Sequence, residues 1–428
     1  MKRLIKAAHA LELMVYLDVV YNHFGPHLNY LHSYAEPFFN SRYQTGWGPA
    51  VNLEGKEGAF VRQFLIENAL MWIGEYGFDG LRLDAVHALK DKSEKHFLTE
   101  VAETVRCRFS DRHVHLMLEN EANQASLLQR EDGKVLLYDA QWGDDFHNAL
   151  HVLLTGEKEG YYRAFADQPL NHLGRALAEG FAYQGEIFPL HDKARGERSA
   201  HLPPEATIFF AQNHDQIGNR ALGERLPSLV DRNKLEQAIV LLLLNPHIPL
   251  LFMGEEAAQT TPFLFFTDWT GDVAKLTREG RRKEFAHFKA FSSPEGQARI
   301  PDPSAEKTFL DSKIDWRAMT TAKAGRFCRL THNLLALRCK KIVPFIKDGI
   351  TRAEYQLSVD AGGTGMIDVC WHSVKGATLQ ITANFSQQAF LRRNSVAGEL
   401  LWPKHTEVSA SVPPGGIFVW LRHPAASL

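Results

Sequence analysis

Short apolar runs, each followed by polar residues, recur through the first half of the chain. They predict six strands, at residues 14–20, 80–84, 114–119, 135–140, 207–212 and 249–253. Helical patterns lie between them, and the clearest extends from Gly58 to Tyr76, where apolar residues recur at helical spacing before Gly77. Strands that alternate with helices predict a parallel α/β sheet. Because the strands are apolar almost throughout, the sheet is expected to be covered on both faces or closed on itself.

The hydrophobic pattern changes after about residue 350. Leu379, Ile381 and Ala383 alternate with polar residues, Ile417 and Val419 do the same near the end, and glycine and proline clusters separate such runs. This pattern is typical of an antiparallel sheet with short turns. We therefore expect an α/β domain over residues 1–345 and a small C-terminal β-sandwich domain over residues 346–428.

The bulk composition excludes some classes of function. Of the 428 residues, 45% are hydrophobic and 23% are charged, and the formal net charge is −2, which gives no reason to expect nucleic acid or an anionic membrane as a partner. No apolar run approaches the about 20 residues that span a bilayer, and Lys6, His9 and Glu12 interrupt the N-terminal stretch that begins like a signal peptide. The four cysteines lack metal-type spacing, so we expect reduced thiols in a cytoplasmic protein.

Acidic residues are predicted at or just beyond the C-terminal ends of five strands. In a (β/α) barrel this is the face that carries the active site. A single carboxylate at a strand end is more often a helix cap or a loop contact, but five together with neighbouring basic residues favour a site. The acids are Asp18, Asp84, Glu119, Asp139 and Asp215, and the basic residues beside them are His23, Arg82, His87 and His214.

Paired carboxylates in such a place suit glycosidic bond cleavage. Cleavage with retention needs one carboxylate that attacks and one carboxylic acid that protonates the leaving oxygen, with their carboxyl groups about 5–5.5 Å apart. Arg82 lies two residues before Asp84, and residues two apart on a strand share a face, so the two side chains are expected to project together. A plain structural ion pair is the alternative interpretation.

At these residues the sequence resembles a known family. The segments DVVYNH (18–23), GFDGLRLDAVH (77–87), LMLENEAN (116–123) and AQNHDQIGNR (211–220) resemble, in order, the four signature regions of the α-amylase superfamily. The resemblance implies a (β/α)8 TIM-type barrel and a retaining mechanism on α-glucosidic bonds. It implies that Asp84 is the nucleophile, Glu119 the general acid/base and Asp215 the third carboxylate. The substrate-binding residues implied in these regions are His23, Arg82, His87, His214, Gln216 and Asn219.

Further segments resemble the malto-oligosyltrehalose trehalohydrolases within that superfamily. They are TGWGPAVN (45–52), YDAQWGDDFHNALH (138–151), MGEEAAQTTPFLFFTDW (253–269), REGRRKEF (278–285) and TFLDSKIDW (308–316). This resemblance implies hydrolysis of the α-1,4 bond that joins a maltooligosaccharide to a terminal trehalose, with release of trehalose. It also implies that Asp144, Asp145, His147 and Asn148 help to bind that end of the substrate.

Three tryptophans are candidates for contact with a sugar, and one asparagine is a candidate for binding calcium. Trp47, Trp142 and Trp269 suit stacking on sugar faces, with Trp47 the one taken as substrate-binding, but each could equally anchor a loop. Asn22 resembles a calcium ligand of some α-amylases, yet no partnering acidic loop stands out. The sequence therefore predicts no metal and no cofactor, and an α-glucan oligosaccharide as the partner.

The predicted strand count departs from the family pattern. A closed barrel needs eight strand–helix units, six strands are predicted, and the first of them matches the family's third. The barrel is thus expected to be N-terminally truncated, with its first two units missing. Trehalose-releasing hydrolysis is the leading hypothesis, because all three carboxylates are present. The alternatives are glycogen-branching or general α-amylase activity, which would use the same carboxylates, and an inactive truncated relic.

Overall fold

The computed structural model describes residues 1–25, 28–46, 48–286, 288–360, 362–392, 398–403 and 410–424. Its helices are α1 (Lys2–His9), α2 (Leu31–Tyr34), α3 (Gly55–Gly74), α4 (Phe97–Arg108), α5 (Asp144–Thr155), α6 (Pro169–Glu179), α7 (His214–Gly218), α8 (Leu226–Leu229), α9 (Arg232–Leu244), α10 (Gly271–Phe285), α11 (Pro294–Ala298), α12 (Glu306–Asp311), α13 (Ala322–Leu337) and α14 (Val343–Lys347). Its strands are β1 (Tyr16–Val19), β2 (Phe39–Thr45), β3 (Gly48–Val51), β4 (Gly80–Leu83), β5 (His115–Leu118), β6 (Arg130–Glu131), β7 (Lys134–Val135), β8 (Ala140–Trp142), β9 (Ile187–Phe188), β10 (Lys193–Ala194), β11 (Thr207–Phe209), β12 (Ile248–Pro249), β13 (Ile350–Val359), β14 (Gly365–Ser373), β15 (Thr378–Asn384), β16 (Phe390–Leu391), β17 (Glu399–Trp402), β18 (Ser411–Val412) and β19 (Ile417–Arg422).

The chain divides into two compact units. Unit 1 comprises Met1–Trp142 and Arg195–Ile208, and unit 2 comprises Gly143–Ala194 and Phe209–Leu428. The boundary expected between residues 345 and 346 stays a prediction. Among the described residues, no helix combines the length and the hydropathy that crossing a bilayer requires.

Unit 1 is built on parallel strands in the order β1–β4–β5–β8–β11. Tyr16 lies opposite Gly80, and Gly80 lies opposite His115, which sets the register of the first three strands. Helix α3 has a buried stripe that includes Val61, Leu65 and Ala69. The predicted helix at 58–76 is thus confirmed. The predicted alternation of strands and helices is confirmed as well.

The strand predicted at 135–140 is wrong, and the strand predicted at 249–253 is found only as the two-residue β12, Ile248–Pro249. The apolar run at 135–140 does not form a single strand, because Asp132 and Gly133 both take positive φ and turn β6 back onto β7 as a short hairpin. The parallel strand begins only at Ala140. Asp139 therefore precedes its strand instead of following it, and it lies at the opposite end of the sheet from the predicted one.

Unit 2 contains the predicted antiparallel sheet, with strand order β13–β14–β15–β19–β17. The central strand β15 is buried along its whole length, including its polar residues Gln380 and Thr382. Hydrophobic and polar residues alternate along this strand, yet both faces of the sheet are covered. Met366, Phe418 and Trp420 form a second apolar cluster beside the main core. Strand β12 also belongs to this unit, where the Leu250 N–H donates to the Phe209 carbonyl at 2.8 Å.

A buried glutamate in unit 2 titrates outside its ordinary range. Glu255 is 4% exposed, and its carboxyl Oε2 accepts the Phe252 N–H at 2.9 Å. Burial raises the pKa of Glu255 to about 8, although the nearby Arg225 guanidinium acts in the opposite direction. The folded chain therefore keeps a proton here that the unfolded chain loses above about pH 4.3.

We expect the stability of the fold to decline as pH rises from about 4.3 to about 8. In this range the folded state must either keep the proton on Glu255 or bury a charge. In Glu255→Gln the group cannot ionise, so this part of the decline should disappear. The variant and the wild type should melt at similar temperatures at pH 5, and the variant should melt higher at pH 8.5. The exposed Glu279→Gln on α10 is the control. Parallel pH profiles for the Glu255 variant and the wild type would contradict the assignment.

Candidate active site

Two neighbouring parallel strands bring Asp84 and Glu119 side by side. Leu83 pairs with Leu118 at the ends of β4 and β5, and each acid is the next residue of its strand. The Glu119 N–H donates to the Leu83 carbonyl at 2.9 Å, which continues the ladder. The close pairing depends on Gly80, because a Cβ at that position would overlap the His115 carbonyl oxygen. The register of two strands therefore fixes the separation of the two carboxyl groups.

Arg82 lies between the two acids. Its Nη1 is 2.8 Å from Asp84 Oδ1, and its Nη2 is 2.8 Å from Glu119 Oε2. Its Nε lies 3.5 Å from Asp18 Oδ1, and its side chain is only 4% exposed. Arg82 and Asp84 project together as predicted, and the shared guanidinium shows that Asp84 and Glu119 converge on one point.

Trp142 holds this arginine from the other side. The guanidinium lies over the indole ring at 4.0 Å from its centroid, and Trp142 is buried. A cation–π contact of this kind gains strength when it is shielded from water. Trp142 therefore supports Arg82, and the interpretation of this tryptophan as an anchor is favoured over stacking on a sugar.

Both carboxylates also accept a hydrogen bond from a residue other than Arg82. The Asn22 side-chain amide donates to Asp84 Oδ2 at 3.2 Å and to the Asp84 carbonyl at 2.9 Å. The Ala85 N–H donates to Glu119 Oε2 at 2.8 Å, and Ala85 has a left-handed backbone with φ of 39°. A left-handed alanine is strained, and it is tolerated here where it turns an N–H back towards the acid on the next strand. Sequence reasoning missed both contacts, although Asn22 stands inside the first motif.

Of the two predicted histidines of unit 1, His23 is partly buried, and His87 lies nearer the surface with 33% of its side chain exposed. Burial lowers the pKa of His23, and the Asp84 charge opposes that shift only in part. Burial also lowers the pKa of His87, whose Nδ1 accepts the Glu121 N–H at 3.3 Å. Both rings are therefore neutral near pH 7, and a neutral imidazole can both donate to and accept from a sugar hydroxyl. Trp47 lies outside the described residues.

In unit 2 the fourth motif opens the short helix α7. The Asn213 side chain caps the helix by accepting the N–H groups of Asp215 and Gln216 at 2.9 and 3.2 Å. The side chains of His214 and Asp215 are about two-fifths exposed, at 40% and 42%. Gln216 donates to Asp144 Oδ1 at 3.3 Å, which brings two of the predicted substrate-binding residues together.

Asn219 is exposed and lines a cleft of about 1050 Å³ in unit 2. Aromatic and charged side chains share this lining, among them Tyr161, Phe288, Phe291 and Arg299. Aromatic rings beside charged and amide groups are suited to a carbohydrate, which presents apolar faces and a rim of hydroxyls.

Three predicted substrate-binding residues of unit 2 are buried. Asp145 Oδ2 accepts the Ala182 N–H at 2.8 Å, and Asn148 lies on the same helix, α5. His147 Nδ1 is 2.8 Å from the Ala211 carbonyl and its Nε2 is 3.2 Å from the Tyr162 hydroxyl. Burial lowers the pKa of His147 to about 3. Their binding of substrate stays a prediction. His147 holds the Ala211 carbonyl at the start of the fourth motif, and Asp145 holds the backbone at Ala182.

The support continues outward to an ion pair. The His151 ring stacks on Tyr162 at 4.2 Å between centroids, and its Nε2 is 2.7 Å from Glu157 Oε2. Arg220, from the fourth motif, donates to both carboxylate oxygens of Glu157 at 2.7 and 2.9 Å. Burial by itself would raise the pKa of Glu157, but Arg220 and His151 hold it well below its usual range.

The likeness to known proteins is consistent with this geometry. No family model matches the sequence. Malto-oligosyltrehalose trehalohydrolase of Deinococcus radiodurans is 41% identical over 337 residues, which are 78% of this chain and 54% of that protein. The enzyme of the same name from Brevibacterium helvolum is 34% identical over 406 residues, 94% of this chain and 66% of that protein. A solved structure named "Putative alpha Amylase from Salmonella typhimurium" is 43% identical, with a TM-score of 0.90, and covers 98% of this chain and 70% of that one.

The chain belongs to the α-amylase family of glycoside hydrolases. The predicted fold class, a TIM-type barrel architecture followed by an antiparallel β domain, is confirmed by this likeness. Within the family the chain is similar in sequence to the malto-oligosyltrehalose trehalohydrolases. It spans 54% and 66% of the length of the two curated relatives.

The Glu157 ion pair yields a prediction about stability. A carboxylate whose pKa is depressed on folding stabilises the folded state above its unfolded value of about 4.3, and this contribution is lost as pH falls. Glu157→Gln should therefore lower the midpoint of urea-induced unfolding at pH 7. The difference in midpoint between the variant and the wild type should be smaller at pH 3. The exposed Glu159→Gln, two residues further on, is the control. A deficit that is equal at both pH values would show that the charge is not what matters.

Proposed function

We propose that this chain carries the catalytic centre of a retaining α-glucan hydrolase that releases trehalose from maltooligosyltrehalose. The observation that carries the proposal is the convergence of Asp84 and Glu119 on the single Arg82 guanidinium, at 2.8 Å each. Retention requires two carboxyl groups about 5–5.5 Å apart, on either side of one linkage. Two carboxylates on the two nitrogens of one planar fork are held at short range, as this reaction needs.

In the first step Asp84 attacks the anomeric carbon and forms a glycosyl ester. The bond from that carbon to the bridging oxygen breaks, and Glu119 gives its proton to that oxygen, so that trehalose leaves. In the second step the Glu119 carboxylate takes a proton from water, whose oxygen attacks the same carbon and frees Asp84. Two inversions at one carbon give net retention.

The charge balance around Arg82 supports these roles. One cation faces the three carboxylates Asp18, Asp84 and Glu119, so the cluster carries excess negative charge when all are ionised. Like charges close together favour a proton on one of them. Asp84 has a donor on each oxygen, from Arg82 and Asn22, as suits an ionised nucleophile. Glu119 Oε2 accepts the Ala85 N–H and lies 2.8 Å from Arg82 Nη2, so this carboxyl is held facing the same guanidinium as Asp84.

The other site residues are proposed from the motifs. Asp215 is proposed as the third carboxylate, and His23, His87 and His214 as groups that bind sugar hydroxyls. Gln216, Asp144 and Asn219 are proposed to contact the substrate, since they are at least partly exposed. A cytoplasmic location is proposed with this function, and the four cysteines, all described by the structure, are free thiols.

General α-amylase activity is the second candidate, favoured by the name of the Salmonella structure. The product separates the two. The full chain is incubated with maltooligosyltrehalose, and products are resolved by chromatography while the anomer formed first is recorded by NMR. Trehalose together with an α-anomeric maltooligosaccharide supports the proposal. Maltooligosaccharides without trehalose would support general amylase action, a new α-1,6 branch would support branching, and a β-anomer would refute the retaining geometry.

Neutralising Asp84 and neutralising Glu119 should impair the reaction in different ways. Asp84→Asn should lower kcat by at least about a thousandfold on any substrate, because the attacking oxygen is lost. Glu119→Gln should lower kcat by roughly 10²–10⁴ on the natural substrate. On a glycoside with a leaving group that needs no proton, Glu119→Gln should recover the first step as a burst, whereas Asp84→Asn should not. The exposed Asp111→Asn is the control, and recovery in the Asp84 variant would reverse the two roles.

Arg82→Lys tests the shared guanidinium. A lysine keeps the charge but offers no fork to two carboxylates, so we expect kcat to fall by roughly 10²–10³, as for loss of one preorganised donor. Arg62→Lys is a matched control, because Arg62 is a buried arginine of the same unit that also bridges two acids, Asp91 at 2.7 Å and Glu100 at 2.6 Å. Similar melting temperatures with a kcat loss only at Arg82 would support a role in the reaction. Equal losses would reduce Arg82 to a structural residue.

A further inference from the structure

A group of three potential metal ligands lies away from the strand ends that carry Asp84 and Glu119. His115 is the first residue of β5, and His113 lies two residues before it. Asp139 directly precedes β8. These are the N-terminal ends of two paired strands, whereas Glu119 follows the C-terminal end of β5. The sequence gives no indication of this group, because it predicts Asp139 at the other end of its strand.

The three side chains face one another. His113 Nε2 is 2.6 Å from Asp139 Oδ1, and His115 Nδ1 is 4.0 Å from the same oxygen. One ligand atom from each residue lies within 4.8 Å of the other two. The two imidazole rings are 4.6 Å apart between centroids, in an edge-to-face arrangement. Residues two apart in an extended segment project to one side, which explains why both rings reach the same carboxylate.

The carboxylate is oriented from behind. Arg106 donates to Asp139 Oδ2 at 2.7 Å, and the Leu116 N–H donates to the same oxygen at 2.7 Å. These contacts fix the carboxylate plane and leave Oδ1 directed at the histidines. Ligating carboxylates in metal sites are commonly held in this way by donors on their second oxygen.

We propose that His113, His115 and Asp139 bind one divalent transition-metal ion of the zinc class. Two imidazole nitrogens and one carboxylate oxygen suit zinc, cobalt or nickel, whereas magnesium and calcium prefer ligand sets made only of oxygen. A metal ion would form bonds of about 2.0–2.2 Å to each of the three ligand atoms. To bind it, His113 Nε2 and Asp139 Oδ1, which now face each other at 2.6 Å, must move apart, and the most distant pair of ligand atoms must move closer together. His113 has a half-exposed side chain (52%), so it can make this adjustment, and solvent can complete the coordination.

The same unit offers a contrasting pair. His9 Nε2 is 2.8 Å from Asp79 Oδ2, an exposed histidine–aspartate contact much like that of His113. Asp79 also accepts the Val15 N–H at 2.7 Å, but on the same oxygen, Oδ2, that faces His9. His9 and Asp79 are not part of a three-ligand group among the described residues. If a histidine–aspartate pair were sufficient, both places would bind zinc alike.

The test uses the full chain stripped of metal with a chelator and titrated with ZnCl2 at pH 7.5 by calorimetry and equilibrium dialysis. We expect one ion per chain with a micromolar Kd. His113→Ala and His115→Ala should each weaken binding at least tenfold, whereas His9→Ala should not. The chain has 20 histidines, so weak background binding is expected, and the differences between variants carry the result.

Two further measurements keep the proposal open to refutation. His113→Cys retains a zinc ligand, so it should restore most of the affinity that His113→Ala loses, and both should melt like the wild type without metal. Cobalt should give d–d absorption bands in the wild type that are absent in His113→Ala, and magnesium should not compete. Zinc binding by the His113→Ala/His115→Ala double variant as tight as in the wild type would overturn the proposal, as would an equal loss in His9→Ala.

Discussion

The site of unit 1 depends on one buried cation. Arg82 contacts Asp84 and Glu119 through its two terminal nitrogens and rests on Trp142 on its ring face. A buried guanidinium is costly to desolvate, and it is stable here because carboxylates and an aromatic face replace its water. The same contacts fix where each carboxylate lies. Electrostatics and positioning are therefore not separable in this cluster, since the group that balances the charge is also the group that sets the distance.

The backbone supplies the remaining constraint. Parallel pairing of β4 with β5 places Leu83 opposite Leu118, so the residues that follow are delivered together at one edge of the sheet. Side chains alternate along a strand, and a slip of one residue would turn Arg82 away from both acids. Gly80 permits the close pairing at the other end of β4, because a Cβ there would overlap the His115 carbonyl. A residue without a side chain thus helps to position the two acids that follow β4 and β5.

The sequence predicted the features that depend on periodicity and failed where local backbone geometry decides. Apolar runs located the parallel strands of unit 1, and the i, i+2 relation placed Arg82 beside Asp84. The run at 135–140 looks like the others, but the Asp132-Gly133 turn begins a hairpin and delays the strand to Ala140. Hydrophobicity does not report positive φ angles, so Asp139 was placed at the wrong end of the sheet. The contact from Ala85 to Glu119 was missed for the same reason.

Residues of one sequence motif can differ in burial, and therefore in which molecules they can contact. Asp144 and His147 stand in one segment, yet Asp144 is partly exposed beside Gln216, while His147 is enclosed between the Ala211 carbonyl and the Tyr162 hydroxyl. An enclosed imidazole with a pKa of about 3 stays neutral, so it can anchor backbone without adding charge near the fourth motif. Resemblance transfers a whole segment at once, whereas solvent exposure decides which of its side chains can touch a sugar. The enclosed ring therefore holds Ala211 at the start of the fourth motif, while the partly exposed Asp144 accepts a hydrogen bond from Gln216 of the same motif.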